Sequence, residues 1–193
     1  MVFDPQGKLV AKHRKVHLFD IDVPGGVTFK ESDTLAPGDQ LLTTFETPQF
    51  GTVGVGICYD IRFPELFLLL TKNRDVGVIC LPGAFNLTTG PAHWELLQRA
   101  RAVDCQSYVL TASPARVTPQ MIDEAKRKGD DAPYVAWGHS TAVSPWGEVV
   151  GKAGVGVETV VVDLDMSKVH EMKRNIPTSL QKRLDLYKVE ETK

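Results

Sequence analysis

The sequence predicts an α/β domain in which helices cover a mixed β-sheet. Short apolar runs rich in Val and Ile alternate along the chain with helical stretches, which is the pattern of strands and helices packed in layers. Two turn signals, at 4–7 and at 145–147, each lie between short strand-like runs and therefore predict hairpins. Because hairpins are antiparallel whereas strand–helix–strand units are parallel, the sheet is expected to be mixed.

The first half of the chain is expected to form most of the strands and one helix. The predicted strands are 2–3, 9–10, 41–45, 52–57 and 76–81. The last of these is a continuous apolar run, which is typical of a strand buried on both faces. A helix is predicted at 63–72, because Pro64 suits the first helical turn, where its missing N–H removes no hydrogen bond.

The second half continues the alternation. A helix is predicted at 91–102, since Pro91 opens it and Trp94, Leu97 and Arg101 share one face. Further strands are predicted at 108–112, 140–144, 148–152 and 158–164, and a last helix at 167–175. The polar, charge-rich segment 117–131 is predicted to be a solvated surface insertion with at most one loose helical turn.

Length and composition indicate one globular domain. At 193 residues the chain is long enough for a substantial core, and we expect the domain to span 1–177 with a mixed-charge tail at 178–193. A net charge of -2, with 42% hydrophobic and 24% charged residues, predicts neither a nucleic-acid partner nor a membrane partner. The longest apolar run, near 66–70, is too short to span a bilayer.

Cysteine and histidine usage predicts neither disulfides nor a metal site. The three cysteines, Cys58, Cys80 and Cys105, have no CxxC spacing, which suits free thiols in a reducing compartment. The five histidines are scattered without the spacing of a zinc site, so no metal is expected. The first residues resemble neither a secretion signal nor a transit peptide, so we expect a cytoplasmic protein, with mitochondria as the alternative.

The strongest indication of chemistry is the stretch GVGICYDIRFPE at 54–65. An apolar strand runs into Cys58 and then breaks into polar residues and a helix start, which places a thiol on a sharp turn beside a helix N-terminus. The positive end of a helix favours the thiolate, which is the nucleophilic form of cysteine. The alternative is a buried core cysteine. Cys80 and Cys105 are expected to be such packing residues.

A thiol nucleophile needs a positive neighbour, and the tetrahedral intermediate needs hydrogen-bond donors. Lys15 is a candidate for both tasks, because it follows a strand-like run and precedes a turn-rich loop at 22–26; a solvated surface charge is the alternative. The backbone N–H of Tyr59, directly after the nucleophile, is a second candidate donor. Asp60 and Arg62 are expected to pair and to lock the turn.

Several long motifs together resemble the carbon–nitrogen hydrolase (nitrilase) superfamily, in the same order and over nearly the whole chain. They are RKVHLF at 14–19, TFKES at 28–32, GICYDIRFPE at 56–65, LPGAFN at 81–86, the helix at 94–104 and GHSTAVSPWG at 138–147. Because these are several long motifs and not one short one, the resemblance is specific. Within the superfamily, the stretch 82–95 is most similar to the omega-amidases.

The resemblance implies a fold, an activity and partners. The implied fold is an αββα sandwich with mixed β-sheets and outer helices, usually a homodimer, with no cofactor. The implied reaction removes the side-chain amide of 2-oxoglutaramate or 2-oxosuccinamate, giving the 2-oxo dicarboxylate and ammonia through a thioester on Cys58. The partner implied is therefore a small-molecule amide.

The resemblance also implies roles for individual residues. Cys58 is the nucleophile, Lys15 stabilises the oxyanion, and Glu31 is the supporting glutamate that helps to position substrate and general base. The substrate-binding residues that the resemblance implies are Tyr59, Phe85 and Asn86.

Relative to the family pattern, the chain begins where the domain is already well advanced. The family's first strands and helix, and the general-base glutamate that they carry, are expected to be missing. We therefore expect little or no amidase activity from the isolated chain. Two alternatives to the omega-amidase interpretation are a nitrilase-family amidase for a peptide-like or N-carbamoyl amide, and a non-catalytic truncated isoform that pairs with a partner protein.

Overall fold

The computed structural model describes residues 1–22, 24, 28–41 and 43–192. The strands in this part of the chain are β1 (Val2–Phe3), β2 (Leu9–Ala11), β3 (Asp20–Asp22), β4 (Thr28–Lys30), β5 (Thr43–Thr47), β6 (Gly51–Val55), β7 (Val78–Pro82), β8 (Tyr108–Ala112), β9 (Thr141–Val143) and β10 (Val149–Lys152). The α-helices are α1 (Pro64–Arg74), α2 (Glu95–Cys105), α3 (Pro119–Lys128) and α4 (Ser167–Asn175).

The central element is a six-stranded mixed sheet in the order β10-β9-β8-β7-β6-β5. The three middle strands β6, β7 and β8 run parallel to one another, whereas the outer pairs are antiparallel. Two short antiparallel ladders, β1-β2 and β3-β4, are not hydrogen-bonded to this sheet. The predicted α/β class, with a mixed sheet and outer helices, is confirmed.

Both faces of the sheet are covered, because side chains of the central strands alternate between two apolar clusters. On β7, Ile79 and Leu81 pack with Phe67 of α1 and with α2 in one cluster. Val78, on the same strand, points the other way and packs with Val169 of α4. This two-sided burial explains why β7 reads as a continuous apolar run.

Most predicted elements are confirmed, and two closely match their predicted bounds. Strand β8 and helix α4 coincide with the predictions at 108–112 and 167–175, and the N-terminal hairpin is formed by β1 and β2. The predicted helix at 91–102 is displaced: a single wide helical turn at Gly90–Trp94 comes first, and α2 continues to Cys105.

Two predictions differ from the structure. Residues 158–164 do not join a ladder with any described strand; they run over β10, where Val160 and Val162 approach Gly151 closely. The segment predicted to hold one loose turn contains the ten-residue helix α3, because Thr118 caps its start and Gly129 ends it in a left-handed conformation with φ 77°. Local polarity obscured that helix, since none of its residues is buried.

Two predicted segments fall partly outside the described residues. These are the turn-rich loop at 22–26, of which residues 23, 25 and 26 are not described, and the strand at 41–45, of which residue 42 is not described. The division into a domain at 1–177 and a tail at 178–193 stays a prediction. In the described part of the tail, Thr178 donates to the side chain of Gln106, and the carbonyl of Val189 accepts from Lys72.

Candidate active site

One cavity lies where the parallel strands of the sheet end. The chain leaves β6 into Cys58, leaves β7 into the loop 83–86, and leaves β8 into Ser113 and Pro114, and all of these line a cavity of about 910 Å³. The carboxyl ends of parallel strands are the usual place for ligands in α/β proteins, because the loops that follow neighbouring strands converge there. The fold thus brings separate parts of the sequence to one edge.

Cys58 occupies a strained turn at this edge. Its φ is 48°, a left-handed conformation that residues other than glycine rarely adopt. The turn is closed by two reciprocal hydrogen bonds, from Ile57 N to the Asp60 carboxylate and from Asp60 N to the Ile57 carbonyl. The short 3₁₀ turn Cys58–Arg62 follows, and then α1. The predicted sharp turn before a helix is therefore confirmed.

The turn also needs space from its neighbour. A Cβ atom added at Gly83 would lie 2.9 Å from the Cα of Cys58, which is too close for two carbon atoms. Gly83, at the end of β7, therefore permits a close approach of two backbones. The Cys58 thiol is half-buried and lies 3.7 Å from the carbonyl oxygen of Ala84.

A lysine–glutamate pair lies in the same cavity. The Nζ of Lys15 contacts the Oε2 of Glu31 in a short ion pair, and both side chains are largely buried. The same carboxylate oxygen accepts from the backbone N–H of Phe19, at 2.7 Å. Glu31 thus holds the segment 15–19 at both ends and aims the ammonium group at the cavity that Cys58 also lines.

The buried carboxylate below the turn is Asp60, and histidines surround it. It accepts from the backbone N–H and the Nδ1 of His17, both at 2.9 Å, and His13 Nε2 lies 3.5 Å away. Burial acts to raise the pKa of Asp60, but the nearby His13 ring and the hydrogen bonds from His17 and Ile57 outweigh it and lower that pKa. The expected partner, Arg62, is instead 3.3 Å from His93.

The six residues predicted for the site are brought together. Cys58, Lys15, Glu31, Tyr59, Phe85 and Asn86 all line the one cavity. Phe85 is buried and packs on Trp94, with 5.1 Å between ring centroids. The side-chain oxygen of Asn86 accepts from the backbone of Thr88 and Thr89, so this oxygen shapes its own loop.

Arg62 and Tyr134 also line the cavity, although neither was predicted for the site. Arg62 is half-buried, and its guanidinium lies 4.9 Å from the ring centre of Phe85. Tyr134, from beyond the charged segment, donates to the Ala84 carbonyl at 3.2 Å. Partial burial, and then the charge of Cys58, raise the pKa of Tyr134. The spacing of Arg62, four residues after the cysteine on one tight turn, is a signal that could have found it.

The other cysteines behave as packing residues. Burial raises the pKa of Cys80, and it raises the pKa of Cys105 to about 12. Within the described ranges, no group of three or more His, Cys, Asp or Glu side chains is placed to hold a metal ion. In the same part of the chain, no helix combines the length and the hydropathy required to cross a bilayer.

Comparison with known proteins agrees with this geometry. Human omega-amidase NIT2 is 57% identical over 189 residues, which are 98% of this chain and 63% of that protein. The crystal structure of Saccharomyces cerevisiae Nit3, of the nitrilase superfamily, is 42% identical with a TM-score of 0.76, and covers 94% of this chain and 57% of that one. The crystal structure of the C. elegans NitFhit protein is 35% identical with a TM-score of 0.83, and the match covers 98% of this chain and 44% of that one.

The chain therefore spans less than two thirds of the length of the curated relative it matches. The pattern of the carbon-nitrogen hydrolase family matches residues 1–174, which is nearly all of the chain. A cysteine on a strained turn, a lysine–glutamate pair in the same cavity and this match over most of the sequence lead to one conclusion: the chain belongs to the carbon-nitrogen hydrolase family.

Proposed function

We propose that this chain carries the thiol chemistry of an amide hydrolase of the omega-amidase type. The observation that carries the proposal is the cavity itself, which is lined by a cysteine on a left-handed turn, by the Lys15–Glu31 pair and by Arg62. The name of the human relative, omega-amidase, supports the substrate class.

In the proposed reaction, Cys58 Sγ bonds to the carbon of a primary amide. The carbonyl π electrons move to oxygen, and the oxyanion is stabilised by the Lys15 ammonium and by the backbone N–H of Tyr59. The carbon–nitrogen bond then breaks as the nitrogen takes up the proton that the Cys58 thiol has given up. Ammonia leaves, and a thioester remains on Cys58. Water hydrolyses this thioester, which returns the thiol and releases the carboxylic acid.

The charges of the cavity suit a substrate with an anionic end. Besides the paired Lys15, the cavity contains the guanidinium of Arg62, held between His93 and the rings of Phe85 and Tyr59. An arginine fixed on aromatic faces presents its N–H groups in a plane, as a carboxylate requires. We assign this role to Arg62 for 2-oxoglutaramate or 2-oxosuccinamate, with Phe85 and Asn86 along the pocket wall.

Substrate protection tests this assignment without requiring turnover. The measurement is the rate at which iodoacetamide alkylates Cys58 at neutral pH, read by mass spectrometry of the peptide, with and without 2-oxoglutaramate. We expect Cys58 to react faster than Cys80 or Cys105, because burial raises the pKa of both other thiols. We also expect 2-oxoglutaramate to slow the reaction of Cys58 and the variant Arg62→Ala to lose this protection.

The matched control is Arg99→Ala, because Arg99 lies on α2 and binds the carbonyl of Gly147 away from the cavity. Equally slow labelling of all three cysteines would favour the non-catalytic alternative. Protection by an N-carbamoyl or peptide-like amide, but not by 2-oxoglutaramate, would favour the other family amidases.

Turnover is a separate measurement. The measurement is the ammonia released from 2-oxoglutaramate by the purified 193-residue chain. Steady release that disappears in Cys58→Ala and persists in Cys80→Ala supports the proposed nucleophile, and release that persists in Cys58→Ala overturns it.

We further propose that the protein acts as a homodimer, without a cofactor, in the cytoplasm or in mitochondria. The resemblance supports the dimer, and three free cysteines support a reducing compartment. Sedimentation of the purified protein tests whether it is a dimer, and microscopy of a tagged chain tests its location in the cell.

A further inference from the structure

A single buried carboxylate connects the two segments that carry the proposed chemistry. Asp60 has no exposed surface, and each of its two oxygens accepts a hydrogen bond. One oxygen accepts from the backbone N–H of Ile57, which directly precedes the nucleophile. The other accepts from the backbone N–H of His17, two residues after Lys15 and 43 residues away in sequence.

These contacts constrain the positions of both reactive groups. The Ile57–Asp60 bonds close the turn around Cys58, whose left-handed φ of 48° is costly for a residue with a Cβ atom. The His17 bond, together with the bond from Phe19 to Glu31, holds the loop 15–19 that carries Lys15. Movement of either segment would change the position of the Cys58 thiol relative to the Lys15 ammonium group.

The rings of two histidines lie beside the Asp60 carboxylate. The ring of His17 donates from Nδ1 at 2.9 Å and stacks on Phe63, with centroids 3.6 Å apart. His13 is buried between Thr43 of β5, at 2.9 Å from its Nδ1, and the carboxylate. His17 thus adds a side-chain hydrogen bond to the backbone hydrogen bonds on Asp60, whereas His13 Nε2, 3.5 Å away, makes none to it.

We propose that Asp60 is a positioning residue, which sets the geometry between Cys58 and Lys15 through hydrogen bonds to Ile57 and His17. Asp60 is not among the residues that line the cavity. The proposal rests on Cys58 as the nucleophile of the proposed function, but it assigns a role that does not depend on which amide is cleaved.

The test substitutes the carboxylate with an amide. In Asp60→Asn the single remaining acceptor oxygen serves either Ile57 or His17, and the new NH₂ group faces the N–H of the other. We expect alkylation of Cys58 by iodoacetamide at neutral pH to slow about tenfold. Cys80 and Cys105, in the same molecules, are expected to keep their rates. A general loosening of the fold would instead accelerate these two buried thiols.

A second variant keeps the test decisive if Asp60→Asn does not fold. His17→Phe retains the ring stacked on Phe63 and the backbone N–H that binds Asp60, but it removes the Nδ1 donor. We expect a smaller, selective slowing of Cys58 in this variant. The matched control is His170→Phe on α4, which lies outside the site.

The outcomes separate this proposal from the proposed function. If Cys58 of the unmodified chain reacts no faster than Cys80, the nucleophile itself is wrong. If Cys58 is fast there and keeps its rate in folded Asp60→Asn, the positioning role is overturned while the nucleophile stands. If Asp60→Asn is unfolded, the rate in His17→Phe decides: selective slowing supports the role of Asp60, and an unchanged rate overturns it.

Discussion

Cys58 keeps its left-handed conformation because hydrogen bonds hold the turn and because Gly83, which has no side chain, leaves room for it. A left-handed φ at a residue with a side chain costs on the order of 1–3 kcal/mol, and such residues persist only where surrounding contacts enforce them. Here the contacts are the hydrogen bonds of Asp60, and the space is the missing Cβ of Gly83. The strained turn is thereby held in the wall of the cavity, where the adjacent parallel strands β6 and β7 end.

Gly83→Ala is predicted to displace this turn. The added Cβ would lie 2.9 Å from the backbone Cα of Cys58, and backbone cannot move aside as the end of a side chain can. We expect a loss of about 1–3 kcal/mol in the free energy of unfolding, measured with urea, and a slower alkylation of Cys58.

The control for this variant is Gly156→Ala, where an added Cβ meets no atom within 4 Å. Equal stability and equal Cys58 reactivity in the two alanine variants would contradict the assigned role of Gly83.

Among the secondary-structure elements, helix α3 is stabilised by its own end residues and not by burial in the core. It has no buried residue, so its stability depends on its caps and on its charges. Thr118 accepts from the backbone N–H of Met121, and Lys126, Arg127 and Lys128 complement the negative end of the helix dipole. Beyond this helix the chain returns to the cavity at Tyr134.

Thr118→Ala is predicted to weaken α3 and leave the core intact. Loss of an N-cap costs typically about 1 kcal/mol of helix stability. Hydrogen–deuterium exchange should therefore accelerate across 119–128, while amides of β7 and β8 keep their protection. Thr159→Ala, an exposed threonine outside any helix, serves as the control. Unchanged exchange across α3 would show that the cap contributes nothing there.

For the whole molecule, Asp60 links stability to pH. Its pKa in the folded state is lowered despite burial, so folding favours the carboxylate. Its contribution to the free energy of unfolding is therefore complete above the ordinary aspartate pKa of about 4. This contribution is lost as the pH falls through the lower pKa of Asp60 in the folded state. Acid should destabilise the protein in that range.

Urea unfolding at a series of pH values from neutral to acidic checks this prediction. We expect Asp60→Asn to be less stable than the unmodified chain at neutral pH, with a difference that shrinks as the pH falls. Asp165→Asn is the comparison, since the Ser167 hydrogen bonds lower the pKa of Asp165 on the exposed surface, where solvent screens the effect. A difference between Asp60→Asn and the unmodified chain that is independent of pH would contradict the linkage.

The sequence by itself determined the α/β class, the position of β8 and α4, and the residues around the cavity from Lys15 to Asn86. These features depend on local periodicity, turn residues and contiguous motifs, which a linear pattern contains. Only the tertiary structure decided that Asp60 binds His17 and not Arg62, that Arg62 and Tyr134 enter the cavity, and that 158–164 joins no described ladder. The order of strands in the sheet determines which distant residues form hydrogen bonds and which segments pair as strands. Local periodicity does not contain this order, because it joins residues that are far apart in the chain.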